Sequence, residues 1–328
     1  SLPDDSIDLI VTDPPYFKVK PNGWDNQWKG DEDYLKWLDH CLAQFWRVLK
    51  PAGSLYLFCG HRLASDIEIM MRERFNVLNH IIWAKPSGRW NGCNKESLRA
   101  YFPATERVLF AEHYQGPYRG KSDGYAAKER ELKQHIMAPL ISYFRDARAE
   151  LGITAKQIAE ATGKKNMVSH WFGASQWQLP NEADYRKLQA LFSRIAAEKF
   201  QEQQLEQPHH QLVASYDSLN RKYSELLDEF KSLRRYFSVS VSVPYTDVWM
   251  HKPVQFYPGK HPCEKPADML RQIINASSRP GDLVADFFMG SGSTIKAAMA
   301  LGRRALGVEL ESERFNQTVK EINELVGK

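Results

Sequence analysis

Strand and helix alternate at both ends of this chain and stop alternating in its middle, and any fold assigned to it must accommodate that interruption. Residues 7–11 (Ile-Asp-Leu-Ile-Val) are an apolar run too short for a helix, and the Asp13-Pro14-Pro15 that follows closes them as a buried strand ending at Asp13. Beyond a polar, aromatic stretch, Phe17 to Asp31, the apolar positions Tyr34, Trp37, Leu38, Cys41, Leu42, Phe45 and Leu49 recur at helical spacing until Pro51-Ala52-Gly53. Ser54–Cys59 reads as a strand, Leu63–Arg74 as a helix, Val77–Trp83 as a strand, 84–104 as a loop and Glu106–Ala111 as a further strand.

From Lys128 to Phe237 no strand pattern occurs. Ile141–Glu150, Thr154–Thr162 and Asn166–Phe172 read as short helices with Gly152 and Gly163 between them. Leu212, Tyr216, Leu219, Tyr223, Leu226, Phe230, Leu233 and Phe237 then alternate in steps of four and three, a heptad seam on a helix expected over about 209–237. Strand candidates return near Val248, at Leu283–Asp286 and at Ala305–Glu309, with helices at Ala267–Asn275, Thr294–Leu301 and the chain end. The order predicts an α/β fold with a mostly parallel sheet, helices on both faces and an inserted all-α domain. Residues 1–127 and 238–328 would form the sheet domain, and 128–237 the insertion.

Composition narrows the classes further. With 328 residues, 43% hydrophobic and 26% charged, the chain can bury a sizeable core and is not disordered throughout. No apolar run approaches the roughly 20 residues a membrane helix needs, and Ser1–Asp8 lack the pattern of a secretory signal, so a cytoplasmic location is expected. Cys41, Cys59, Cys93 and Cys263 lie far apart without metal-ligand spacing, so neither a disulfide nor a structural metal is expected. A net charge of +4 is compatible with a polyanionic partner but does not select one.

Two segments carry chemistry. Asp13-Pro14-Pro15-Tyr16 stands at the carboxyl end of a strand, where open α/β sheets bind ligands. A carboxylate and a backbone carbonyl accepting the two N–H bonds of an exocyclic amine would localise the nitrogen's delocalised lone pair and make it nucleophilic. The prolines stiffen the turn, and Tyr16 offers a flat face to a base extruded from its stack. The second segment, Asp286-Phe287-Phe288-Met289-Gly290-Ser291-Gly292-Ser293-Thr294, spans a strand-to-helix turn whose glycines permit close backbone approach to a ligand. Glu309 follows at the end of the next strand, where an acid can accept hydrogen bonds from ribose hydroxyls, and a carboxylate suits a cationic sulfonium better than a phosphate.

With those residues in place, the chain resembles the β class of S-adenosylmethionine-dependent DNA amino-methyltransferases, in which a D-P-P-Y segment precedes an F-x-G-x-G segment. His261-Pro262-Cys263-Glu264-Lys265-Pro266 is similar to the family's H-P-x-x-K-P segment, and Thr105-Glu106 with Val108-Leu109-Phe110 resembles a late strand of its catalytic half. The resemblance covers Ser1–His113 and Pro244–Lys328 and implies a Rossmann-like, seven-stranded sheet. It implies that Asp13, Pro14, Pro15 and Tyr16 hold the target amine. Asp13, His261, Lys265, Asp286, Phe287, Phe288, Gly290, Ser291, Gly292, Thr294 and Glu309 would bind S-adenosylmethionine. Phe287 stands where the family has Pro and Ser293 where it has Thr; the glycines are kept. Family members usually carry one more strand and a G-D segment before the position of Ser1, so part of the adenine pocket is expected to be missing. A covalent mechanism of the cytosine-C5 type needs Pro-Cys on its own catalytic loop, whereas Pro262-Cys263 sits in the H-P-x-x-K-P context; direct in-line transfer without an enzyme-bound intermediate is expected.

Residues 145–192 resemble the helix-turn-helix of phage-repressor-type DNA-binding domains, through Leu151-Gly152-Ile153-Thr154, Gln157-Ile158-Ala159-Glu160, Gly163 and Val168-Ser169-His170-Trp171. The second helix of that motif enters the major groove, which would present Lys164, Lys165, Asn166, Ser169 and His170 to double-stranded DNA. Residues 141–200 hold nine Lys+Arg against six Asp+Glu, a net +3 that favours a phosphate-facing surface only mildly. A helical domain used for packing alone is the competing reading, and homodimerisation through the heptad seam is a further expectation. Together the features predict a bacterial or phage-encoded enzyme methylating N6 of adenine on a flipped base, with loose sequence choice. N4-cytosine methylation, or a DNA-binding regulator with an inactive methyltransferase shell, are the alternatives.

Overall fold

Strand β1 (Ile7–Thr12) has β2 (Leu49–Cys59) as a parallel neighbour on one side and β6 (Leu283–Asp286), from the far end of the chain, on the other. The computed structural model describes residues 2–19, 23–86, 96, 99–113, 137–174, 176–203, 219–239, 246–258 and 260–326. The chain divides into two units, Ser1–Gly120 with Arg235–Lys328 and Lys121–Arg234.

The first unit holds a mixed seven-stranded sheet in the order β5-β3-β4-β2-β1-β6-β7, where β3 is Asn76–Ala84, β4 is Thr105–Glu112, β5 is Val248–Met250 and β7 is Arg304–Gly307. Only β4 runs against its neighbours, β2 and β3; all other pairings are parallel. That reversal brings the first residues of β4 to the edge where the parallel strands end. On one face β1 and β2 pack Ile10, Leu55, Leu57 and Cys59 against α1 (Asp31–Val48) and α2 (Ala64–Met71). On the other face Leu9, Val11, Tyr56 and Phe58 meet α8 (Ala267–Ser277) and α9 (Ser293–Ala300). The alternation of sides follows from the two-residue period of a strand. Helix α10 (Ser312–Val326) ends the unit's described chain.

Two strand boundaries differ from expectation. The helix break at Pro51-Gly53 lies inside β2, not before it: Leu49 already pairs with Ile7, and the register jumps from Ile7↔Leu49 to Leu9↔Ser54. Lys50 to Gly53 bulge there, because Pro51 has no N–H to give a ladder. Strand β7 stops at Gly307, two residues before Glu309. The Val308 amide still donates to the Asp286 carbonyl, the last bond of the parallel ladder, and the Val308 carbonyl accepts from Met289 of the glycine turn; β6 ends at Asp286, so no strand partner is left for Glu309.

The second unit's described residues form α3 (Ala138–Leu151), α4 (Ala155–Thr162), α5 (Val168–Phe172), α6 (Glu182–Gln203) and α7 (Tyr223–Leu233) around Phe144, Ile158, Trp171, Phe172 and Phe192. Gly152 and Gly163 end α3 and α4 with φ of 62° and 75°, the left-handed conformation that only glycine adopts without strain. Thr154 and Gln157 cap α4 reciprocally. The expected helix at Asn166–Phe172 begins as a 3-10 turn at Lys165–Met167 before α5.

The heptad helix requires correction. Only Tyr223–Leu233 is helical among its described residues, and Lys222 enters it in an extended conformation. Leu219 and Leu226 are buried, and Tyr223, Phe230 and Leu233 pack on the same core. These positions form an internal packing face. Phe237 lies instead beside Phe110 of β4, ring centroids 5.5 Å apart. Leu212 and Tyr216 lie outside the described residues.

Candidate active site

Because β1 and β6 are neighbours, their carboxyl ends emerge side by side, at the point where chain order along the sheet reverses and a cleft opens. Thr12 Oγ1, 274 positions from Asp286, donates to its Oδ1 at 3.0 Å, and the Phe287 amide donates back to Thr12 Oγ1 at 3.2 Å. A cavity of about 440 Å³ opens there, lined by Asp13, Pro14, Pro15, Tyr16, His261, Lys265, Asp286, Phe287, Phe288, Gly290, Ser291, Thr294 and Glu309 among others. Of the residues expected to bind amine or cofactor, only Gly292 is not in its wall.

The Asp13 end is built for rigidity. The Tyr34 hydroxyl donates to the Pro15 carbonyl at 2.8 Å. Just beyond, Phe17 and Lys18 take φ of 59° and 60°, left-handed values that cost non-glycine residues energy. Asp25, 1% exposed, supports them: its carboxylate accepts the Phe17 amide at 2.9 Å and the Val19 amide at 2.7 Å. Asp25 also lines the cavity, and nothing in its local sequence marked it beyond an acid within an aromatic stretch.

Three charged groups meet beside Asp13. Lys265 Nζ is hydrogen-bonded to Asp13 Oδ2 and lies 3.6 Å from Glu106 Oε2, while Lys85 Nζ binds Glu106 Oε1 and the Tyr16 hydroxyl donates to Oε2 at 3.0 Å. Lys265, which the resemblance places with the cofactor, thus has its ammonium on the Asp13 carboxylate; the cause is the H-P-x-x-K-P segment entering α8 with Lys265 only 8% exposed against Asp13. Glu106, read from sequence only as strand, is, with Asp25, a group that sequence reasoning missed. Its signal was a charged Glu106-Arg107 pair opening a strand whose centre, Val108 to Ala111, is apolar.

Burial raises the Asp13 carboxyl above the ordinary range despite Lys265, and Glu106 adds to the rise. Burial acts on Glu106 likewise, but Lys265 and Lys85 overcome it and hold that carboxyl below its usual value. Asp13 Oδ1 is buried and accepts no hydrogen bond: the neighbouring Tyr16 phenol has one hydrogen, and Glu106 takes it.

At the glycine turn, Asp286 Oδ1 also accepts the Phe288 amide at 3.1 Å, and burial lifts its carboxyl to about 6. Phe287 stacks on Phe45 and Phe288 packs on Trp37, anchoring the turn to the core beneath. Gly290 has φ of 49°, and a Cβ there would come within 3.0 Å of the His261 ring, so His261 closes directly on the turn. Glu309 accepts the Gly290 amide at 2.9 Å through Oε2 and the Glu311 amide at 3.0 Å through Oε1. Each carboxylate oxygen keeps a second lone pair. The donor set fits an amino-acid sulfonium joined to a ribose: acids for the positive and hydroxyl groups, serine hydroxyls and the first amides of α9 for a carboxylate.

The expected DNA-contacting residues lie in the other unit. Lys165, Asn166 and Ser169 are exposed. Lys164 is also exposed, but its ammonium pairs with the buried Asp184 at 2.6 Å, and His170 donates to the Gln176 carbonyl at 3.2 Å.

A family model described as DNA methylase, of N6/N4 type, matches residues 7–320. The DNA adenine methyltransferase YhdJ of Escherichia coli (strain K12) is 25% identical over 327 residues, covering 98% of this chain and 78% of that protein. The type II methyltransferase M2.LlaDCHI of Lactococcus lactis subsp. cremoris is 33% identical over 334 residues, covering 97% of this chain and 83% of that protein. Among solved structures, the M1.HpyAVI–SAM complex gives a TM-score of 0.45 at 18% identity, over 96% of this chain and 89% of that one. PvuII DNA methyltransferase, cytosine-N4-specific, gives 0.49 at 15% identity, over 97% and 80%. Matched over nearly its whole length, with both motifs on one cavity, the chain belongs to the N6/N4 family of DNA methylases, whose methyl donor is S-adenosylmethionine.

Proposed function

We propose that this chain methylates N6 of adenine in double-stranded DNA by direct transfer to a flipped base. The observation that carries this reading is the bare, buried Oδ1 of Asp13 in the wall of a cavity whose other side is the glycine turn. A buried acceptor without a donor costs about 1–3 kcal/mol, so its occupation by an N–H of the target amine is favourable. The Pro14 carbonyl, aimed by a stiff turn, takes the second N–H, and the nitrogen lone pair is left facing the turn. S-adenosylmethionine supplies a sulfonium-bound, electrophilic methyl group when bound. Asp13, whose burial strengthens its hold on a proton, receives the surplus proton of the methylated amine and passes it to solvent. Tyr16 forms the wall against which the extruded base rests, and Asp286 and Glu309 take the ammonium and ribose of the cofactor.

Docking on DNA falls to the Lys121–Arg234 unit, read as a helix-turn-helix module with Lys165, Asn166 and Ser169 toward the groove and Lys164 and His170 beside them. Because that module stands where a target-recognition region is usual, sequence choice is loose, as suits a cytoplasmic bacterial or phage enzyme. Incubating unmethylated DNA with labelled S-adenosylmethionine, digesting it to nucleosides and mapping the modified positions tests the whole reading. Labelled N6-methyldeoxyadenosine in many sequence contexts is expected. Label in N4-methyldeoxycytidine would overturn the base assignment, a single strict motif the loose choice, and no transfer at all the assignment as an active enzyme.

A further inference from the structure

We propose that Lys265 and Glu106 are positioning residues that clamp Oδ2 of Asp13, so that Oδ1 alone is presented to the target amine. The proposal rests on Asp13 as the group that grips that amine. Two carboxylates and two ammonium groups share the site, a neutral set in which each member limits the next. Lys265 is held between Asp13 and Glu106, with its Nζ 3.4 Å from the Cys263 carbonyl and 5.1 and 5.4 Å from the Phe58 and Tyr16 rings. Glu106 cannot turn away, because Lys85 holds one oxygen and Tyr16 the other.

The fold makes this possible through the one reversed strand. Parallel strands deliver their last residues to the cleft, whereas β4 delivers its second residue, Glu106, opposite Trp83 and two positions from Lys85. The clamp does chemical work because a protonated Asp13 would present an O–H toward the hydrogens of the amine. Burial alone pushes Asp13 toward that form, and Lys265 opposes it. The groups facing Asp13 are Lys265, Glu106 and Tyr16 at close range, with Cys59 of β2, Asp286 of β6 and Tyr34 of α1 farther off.

Single-turnover methyl transfer at saturating DNA and cofactor, measured across pH, tests the clamp. Lys265→Met leaves two carboxylates facing only Lys85. Its acidic limb should move to higher pH, and at neutral pH the rate should fall on the order of 100-fold, the cost of a misplaced reacting group. Glu106→Gln removes the carboxylate that repels Asp13 and competes for Lys265, so its acidic limb should move to lower pH. Opposite shifts from two neighbouring substitutions cannot arise from general loosening of the site. Lys265→Arg should return the limb toward its wild-type position while recovering only part of the rate, since a planar fork replaces a point charge. Affinity for S-adenosylmethionine, measured by calorimetry, should be unchanged in all three.

Unmoved limbs would overturn the clamp, as would a Lys265→Met enzyme that keeps its rate but loses cofactor affinity, which would return Lys265 to the cofactor. Should Lys265→Met fail to fold, the downward shift of Glu106→Gln and the rescue pattern of Lys265→Arg decide alone. An inactive wild type refutes the reading of function beneath the clamp; an active wild type with unmoved variants refutes the clamp only.

Discussion

Gly292→Ala should damage the glycine turn by an amount that a second substitution recovers in part. Gly292 is the N-cap of α9 at φ 69°, and a Cβ there would lie 2.5 Å from Cγ2 of Thr318. The left-handed backbone costs an L-residue about 1–2 kcal/mol. The clash adds about 1–3 kcal/mol of overpacking, because Thr318 has nowhere to go. It is fully buried on α10, β-branched, and locked by its Oγ1 donating to the Gly290 carbonyl at 2.8 Å. Thr318→Ser deletes the offending methyl and keeps the hydroxyl, at about 1 kcal/mol for the lost burial. The double variant should therefore be more stable than the sum of the singles by about 1–3 kcal/mol, a coupling that a double-mutant cycle isolates. Native-state hydrogen exchange in α9 and α10 is the suitable assay, since two units in one chain preclude a single two-state transition. Additive single effects, within about 0.5 kcal/mol, would show that the turn does not lean on Thr318 and refute the packing argument.

Asp286 makes a pH-dependent prediction with a definite sign. Its folded value of about 6 exceeds the ordinary 3.8, so the native state holds the proton more tightly than the unfolded chain; that stability is present below about 4 and lost as pH rises through 6. Asp286→Asn keeps an acceptor for Thr12 and Phe288 and should be more stable at neutral pH, by on the order of 3 kcal/mol at 1.36 kcal/mol per unit. Affinity for S-adenosylmethionine should strengthen as pH rises through 6 in the wild type and lose that dependence in the variant; a flat wild-type profile would separate Asp286 from the cofactor's ammonium. If transfer is direct, as proposed, Cys263→Ser should keep turnover within about tenfold of wild type, and a folded, cofactor-binding but inactive variant would contradict direct transfer. Lys165→Ala should weaken DNA binding evenly across sequences and reduce the salt slope by about 1; an unchanged slope would remove this face from the DNA-docking reading.

Local chemistry made much of the molecule legible. A short apolar run closed by Asp-Pro-Pro can only be a strand ending at Asp13, and a Gly-Ser-Gly turn between strand and helix is the same object wherever it is placed. The alternation of the elements was therefore determined by the sequence alone, with errors where a boundary depended on pairing. Leu49 belongs to β2 because Ile7 is there to receive it, and Glu309 falls outside β7 because β6 ends at Asp286 and offers nothing beyond Val308 to pair with.

Tertiary structure decided what periodicity cannot contain, which is the identity of the partner. A buried stripe states that something covers it; Leu219 and Leu226 of the seam are covered by their own unit. The same holds for charge. Lys265 meets Asp13 across 252 positions and Tyr16 meets Glu106 across 90, contacts that exist only because β6 lies beside β1 and β4 runs backwards. The residues able to do the chemistry were written in the chain, and the order of strands in the sheet determined which of them touch.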